Sequence, residues 1–141
     1  MDAKTKYTRL VQDVKNEIAK DKAKFDRIKE RNRHQEKYKE LWEKVNIDEI
    51  VKKFAPDSEP VINDSGKIIF RTPGSHIQVV CEATIGSLRI QDLNIKSRRK
   101  SYLGLDGKRP LNIVENGKTR GRTNKEYELA THFRIKKLNE L

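Results

Sequence analysis

The chain has few cysteines and no long apolar run. Its single cysteine, Cys81, cannot form an internal disulfide. No apolar stretch approaches the roughly 18 residues that cross a bilayer, so the sequence predicts no membrane insertion of this segment. The patterns G-x-x-x-x-G-K-[ST], G-x-G-x-x-G, CxxC and HxxxH are absent, which excludes these nucleotide-binding loops and zinc spacings. The sequence predicts neither a metal nor a cofactor.

Apolar residues are also scarce, at 34% of 141 residues, whereas charged residues reach 38% with a net charge of +11. An ordinary globular domain is more apolar and less charged than this. A long solvated helix accounts for the imbalance without disorder. The basic excess predicts a polyanionic partner, which is a nucleic acid, an anionic membrane or an acidic protein.

The first third of the chain predicts helices. Residues 3–44 contain no proline or glycine and are rich in good helix formers, which predicts one long helix. Asn46 is a predicted N-cap for a short helix, IDEIVKKF, that must end before the next proline. The segment APDSEP, residues 55–60, is a change in composition. We therefore expect a helical segment over 1–55 and a basic α+β domain over 56–141.

Beyond this boundary the apolar residues alternate, which predicts strands over residues 66–71, 76–82, 87–93 and 132–137. The run TNKE fits a capping box that opens a short helix before the last strand. Cys81 falls within the alternation and is a predicted core residue. The expected class is α+β, with a long and a short N-terminal helix, a small antiparallel sheet, and one short helix before the last strand.

The alternation places ionisable side chains of three predicted strands on one face of the sheet. Metal-independent RNA cleavage needs a base, an acid and a cation for the charge on the phosphorane. Histidine suits the first two roles and arginine the third. We therefore expect His132 and Arg134 to face Arg89 and either His76 or Glu82. The alternative interpretation is an ordinary solvated face of an antiparallel sheet.

A second signal is the charge of residues 96–122, which hold nine basic and two acidic residues, a local charge of +7 in predicted turns. Such a cluster is typical of a surface that binds a phosphate backbone, although it can also be a solubilising loop. Tyr102 lies inside the cluster and could stack on an unpaired base. The remaining predicted nucleic-acid contacts are Arg98, Arg99, Lys100, Lys108, Arg109, Lys118, Arg120 and Arg122.

Three runs of residues carry a resemblance to a known group of proteins: RIQDL (89–93), YLGLDGK (102–108) and GRTNKEYELATHFRI (121–135). Over roughly residues 60–141 the chain resembles the C-terminal toxin modules of bacterial polymorphic toxins, especially those attached to LXG-type secreted proteins. Several such modules are α+β ribonucleases of the barnase/EndoU/colicin/RelE group. The amino-terminal helix would then correspond to a pretoxin or linker segment.

The resemblance implies a ribonuclease toxin, secreted, active in the cytoplasm of a target bacterium, and blocked by an acidic immunity protein. That group often uses a late-strand histidine, a nearby hydroxyl and basic residues, which here are His132, Thr131, Arg134 and the pair Arg120 and Arg122. No clear barnase-like glutamate is present, and Glu82 is only a candidate. A DNase toxin, a non-catalytic nucleic-acid-binding protein of a phage or mobile element, and an oligomerising assembly protein remain alternatives.

Overall fold

The computed structural model describes residues 1–137 and confirms the α+β class. The helices are α1 (Ala3–Lys20), α2 (Lys22–Glu36), α3 (Ile47–Phe54) and α4 (Asn124–Thr131), and a short 3-10 helix covers Lys39–Leu41. The strands are β1 (Glu43–Val45), β2 (Val61–Ile62), β3 (Lys67–Phe70), β4 (Ile77–Glu82), β5 (Ser87–Asp92), β6 (Tyr102–Leu103), β7 (Asn112–Glu115), β8 (Lys118–Gly121) and β9 (Phe133–Ile135). The predicted short helix after Asn46 and the predicted capping box at Thr123 are both present.

The single long helix predicted over residues 3–44 is instead two helices followed by a strand. The chain leaves helical geometry at Asp21, where φ is −134° and ψ is 95°. The Asp21 carboxylate accepts a hydrogen bond from the Lys24 backbone N–H at 3.0 Å and so caps α2. An aspartate that can cap a new helix competes with continuation of the old one. As a result α2 folds back along α1.

The main sheet of the described chain has seven strands in the order β1-β9-β5-β4-β3-β2, with β6 also paired to β5. All pairs are antiparallel except β1 with β9, so the predicted antiparallel sheet gains one parallel edge strand. Strands β7 and β8 form a separate hairpin. Its turn residues Asn116 and Gly117 have φ values of 53° and 76°, as a two-residue type I′ turn requires.

The hydrophobic core extends across the composition change at residues 55–60. Val14 of α1 and Ile47 of α3 are buried in the same cluster as Phe70 of β3. Strand β1 completes the edge of the sheet beside β9. Residues 1–55 therefore share one core with the strands that follow, and they also supply one wall of the cleft described below.

We expect Ile47→Ala to lower the free energy of unfolding by about 2–5 kcal/mol, because it empties a fully buried site in this shared core. In the variant, Trp42 fluorescence and far-UV circular dichroism should report one unfolding transition, with the same lowered denaturant midpoint for both signals. Leu41→Ala, at a side chain 67% exposed, is the matched control and should change stability little. Two separate transitions would show that the two regions do not share a core.

Candidate functional site

The strand register places Arg89 beside His132 on one face of the sheet, as the alternation predicted. Leu88 of β5 pairs with Phe133 of β9, and both side chains are buried in the core. One position further along these antiparallel strands, Arg89 and His132 therefore lie side by side on the opposite face. The same face continues across β4 and β5 through a hydrogen bond of 2.8 Å between Gln78 and Gln91.

A cleft of about 310 Å³ lies over this pair, between the end of α2 and helix α4. Its lining combines aromatic, amide and ionisable side chains: His34, Gln35, Tyr38, Trp42, Arg89, Lys125, Glu128, Leu129 and His132. Three rings at four-residue spacing line one wall, namely His34 of α2 and Tyr38 and Trp42 of the segment that follows it. Helix α4 lines the other wall. The cleft thus joins residues about 90 positions apart in the sequence.

His132 is the best-defined group in the cleft. It ends α4, and its Nδ1 lies 2.7 Å from the backbone oxygen of Glu128. A carbonyl oxygen only accepts hydrogen bonds, so Nδ1 carries the ring proton and donates it. The other ring nitrogen, Nε2, is then an unprotonated acceptor; it is buried and has no hydrogen-bond partner among residues 1–137. The ring itself is fixed by stacking on Trp42, with centroids 4.8 Å apart.

The charge state of His132 follows from its surroundings. Burial lowers the pKa of the imidazole to about 4, and the nearby Arg89 cation acts in the same direction. The hydrogen bond to Glu128 opposes these effects but does not outweigh them. His132 is therefore neutral at physiological pH, with a free lone pair on Nε2. A neutral imidazole with a free lone pair can accept a proton, which is one requirement of a general base.

The lowered pKa predicts a pH-dependent stability. Between pH values near the usual 6.5 and about 4, the unfolded chain binds a proton at His132 that the folded chain does not. Stability is therefore lost as pH falls through this range, by about 3 kcal/mol for the whole shift. Unfolding experiments at several pH values should show this slope, and His132→Gln should reduce it. An unchanged slope in the variant would contradict the assigned pKa.

Arg89 lies next to His132 and makes no ion pair within the described chain. Its guanidinium carbon sits 3.7 Å from the centroid of the Tyr102 ring. Burial lowers the pKa of Arg89, yet an arginine remains cationic at physiological pH. A half-buried cation that stacks on a ring, with no carboxylate bound to it, is suited to hold a phosphate oxygen.

The cleft lining also holds ionisable residues that sequence reasoning had not selected, namely His34, Tyr38, Lys125 and Glu128. His34 of α2 is exposed, has its ring 5.3 Å from Tyr38 and lines the cleft. Lys125, in the first turn of α4, places its Nζ 4.9 Å from the centroid of the same Tyr38 ring. The available signal was the four-residue spacing of His34, Tyr38 and Trp42, which would share one side of the single helix predicted over residues 3–44. In the structure α2 ends at Glu36, and Tyr38 and Trp42 line the cleft from the segment that follows it.

Other predicted catalytic residues lie outside the cleft lining. His76 is exposed at the start of β4, where its Nδ1 lies 2.8 Å from the carboxylate of Asp92. Glu82 is buried and bound to Arg31 at 3.0 Å and Lys67 at 3.6 Å, so its carboxylate already has two cationic partners. These contacts assign Glu82 a structural ion pair, because an unpaired buried carboxylate would be costly.

Arg134 and Thr131 also lie outside the cleft lining. The Arg134 guanidinium binds Glu40 at 2.9 Å and borders a different, lysine-rich pocket near the start of α1. The Thr131 hydroxyl donates to the backbone oxygen of Tyr127 at 2.9 Å and is buried. The hydroxyl that the resemblance implies therefore donates its hydrogen bond within α4 and not into the cleft.

The basic segment 96–122 consists mainly of surface loops and the β7–β8 hairpin, with most of its charged side chains exposed. Two of its members differ from expectation. Tyr102 is only 9% exposed, and Arg89 covers one face of its ring, so it is not open to a base. Arg120 is bound by the carboxylates of Glu115 and Glu126, at 2.7 and 2.8 Å, and this contact lowers the pKa of Glu126. The remaining exposed cations are Lys96, Arg98, Arg99, Lys108, Arg109 and Lys118.

Within residues 1–137, no helix has the length and apolar character to cross a membrane. No group of three His, Cys, Asp or Glu side chains in the same range is placed to hold a metal ion. No protein-family model, curated protein or solved structure matches the chain. The cleft is therefore the feature of this chain that points to a function.

Proposed function

We propose that the chain is an endoribonuclease that cleaves RNA by metal-independent acid–base catalysis in the His132 cleft. The observation that carries this proposal is the neutral, buried His132, which lines the cleft beside the Arg89 cation and whose Nε2 has no hydrogen-bond partner among residues 1–137. For such a base to start phosphodiester cleavage, the substrate must carry a removable proton on a hydroxyl next to the phosphate. The 2′-hydroxyl of RNA supplies it, and DNA has none.

In the proposed reaction, Nε2 of His132 takes the 2′-hydroxyl proton while the 2′-oxygen attacks the adjacent phosphorus. The bond from phosphorus to the 5′-oxygen breaks, leaving a 2′,3′-cyclic phosphate. Arg89 stabilises the negative charge that builds on the phosphate oxygens. His34, the second histidine in the cleft wall, protonates the departing 5′-oxygen.

In this proposal the exposed cations of segment 96–122 bind the RNA backbone. Contacts to phosphates supply affinity and orientation without sequence preference. Their affinity should fall steeply with salt, because each neutralised phosphate releases counterions. The same surface alone supports the second candidate, a nucleic-acid-binding protein without catalysis.

Incubation with RNA and with duplex DNA, each with and without EDTA, tests the proposal. We expect RNA fragments ending in 2′,3′-cyclic phosphate, intact DNA, and loss of cleavage in His132→Gln. Intact RNA with salt-sensitive binding would favour the non-catalytic alternative. Cleavage of DNA that stops in EDTA would favour a metal-dependent DNase.

We further propose that this activity is that of a secreted toxin acting in the cytoplasm of a target bacterium. An acidic immunity protein would then complement the basic loops and prevent RNA from binding. Induced expression in a bacterium should arrest growth, whereas the His132→Gln variant should not. Growth arrest that persists in the variant would show that toxicity does not depend on His132.

A further inference from the structure

The cleft has the size of a pocket for one small ligand. Its volume of about 310 Å³ lies at the lower end of small-ligand pockets, which hold roughly 300–1,000 Å³. His132 is only 6% exposed, so a 2′-hydroxyl can reach Nε2 only if its nucleotide enters the cleft. A nucleotide that stays paired and stacked in a duplex cannot enter without being extruded from the helix.

The cleft wall presents surfaces for an unpaired base. Tyr38 is partly exposed, and Leu129 is the apolar residue facing it from α4. Trp42 is already covered by the His132 ring. The Tyr38 ring has the Lys125 Nζ 4.9 Å from its centroid and the His34 ring 5.3 Å away, so a base that stacks on Tyr38 would displace the exposed Lys125 side chain. Aromatic rings bind single-stranded nucleic acid by stacking on bases with little sequence preference.

Gln35 adds a polar group that needs a ligand. Its side-chain oxygen, Oε1, is buried and has no hydrogen-bond partner in the described part of the chain. Buried polar atoms are nearly always paired, and each exception calls for an explanation. Every RNA base carries an N–H group on its Watson–Crick edge, which is exposed only when the base is unpaired.

We propose that the cleft binds one unpaired nucleotide, with its base on Tyr38 and the Gln35 amide bonded to the base edge. The substrate is then single-stranded RNA or an unpaired loop, and duplex RNA is bound only through the basic loops. This inference rests on the proposed function in placing the ribose of that nucleotide at His132. Gln35 is a binding residue and takes no part in proton transfer.

Fluorescence anisotropy with 2′-O-methyl RNA, which cannot be cleaved at its 2′-oxygens, tests binding apart from catalysis. At one fixed salt concentration we expect the single strand to bind about tenfold more tightly than the same strand in a duplex. Gln35→Met, which removes the amide and keeps the side-chain length, should weaken single-strand binding about fivefold and leave duplex binding unchanged. Gln12→Met, at an exposed glutamine of α1, is the matched control.

Equal affinity for single strand and duplex, or equal weakening of both by Gln35→Met, would overturn the inference. If Gln35→Met fails to fold, Tyr38→Leu provides the same comparison through loss of stacking. In cleavage of ordinary RNA, Gln35→Met should raise KM and leave kcat within about twofold. Gln35-dependent binding without any cleavage would refute the proposed function alone, whereas equally fast cleavage of duplex and single strand would refute this inference alone.

Discussion

His132→Gln is expected to lower kcat/KM for RNA cleavage about a thousandfold, within the range of roughly 10²–10⁴ typical of a lost general base. Glutamine has a polar end of similar reach but cannot accept a proton at neutral pH. The loss should appear in kcat as well as in kcat/KM, because proton removal occurs only on the way to the transition state. Initial rates on a labelled RNA, with Tm measured for each protein, provide the test.

His76→Gln tests whether the correct histidine has been identified. The sequence alone placed His76 in the catalytic group, whereas in the structure it is exposed and paired with Asp92 outside the cleft. We expect this variant to retain activity within about twofold, as a surface substitution should. A large loss of RNA cleavage in His76→Gln, together with normal cleavage in His132→Gln, would place the catalytic histidine at the other end of the sheet face.

Arg89→Met is expected to lower kcat by about 10²–10³-fold, which is the usual effect of removing one group that stabilises transition-state charge. Methionine fills much of the same space beside Tyr102 without the cation. Stability should fall little, because Arg89 makes no direct ion pair and the buried Glu82, whose charge also attracts Arg89, keeps its partners Arg31 and Lys67. Arg89→Lys should recover part of the rate, since it restores a charge but not the planar fork.

Arg134→Met is the matched comparison for this second prediction. Arg134 lies on the same face of the sheet but is bound to Glu40 outside the cleft. Its replacement should change kcat little and affect only the surface charge. If the two variants lost activity equally, Arg89 would have no special position beside the reacting phosphate.

The elements with a local signal were predictable from the sequence. Alternation over residues 76–82 and 87–93 predicted two strands, which the structure places at Ile77–Glu82 and Ser87–Asp92 with the matching register. Cap residues such as Asn46 and Thr123 marked two helix starts, because a side-chain acceptor before a helix satisfies its first N–H groups. The same rule applied to Asp21 would have divided the first helix correctly.

The cleft was only half predictable. Arg89 lies in β5 and His132 directly precedes β9, and the apolar residues of both strands alternate. The shared face of Arg89 and His132 could therefore be inferred from the sequence. The opposite wall comes from α2 and depends on β1 pairing with β9, a contact between positions about 90 residues apart. Three residues, EKV, carry no alternation strong enough to predict that pairing. His34 and Gln35 were therefore missed.

The pH dependence of kcat/KM tests the central claim most directly, namely that neutral His132 is the base. This profile reports the pKa of essential groups in the free enzyme. We expect the acid side of the profile to fall with a midpoint near pH 4, because burial lowers the pKa of His132 to about 4. Far-UV circular dichroism at each pH ensures that only folded protein is compared. A midpoint near the usual histidine value of about 6.5 would contradict the account, since the base would then be a solvated imidazole.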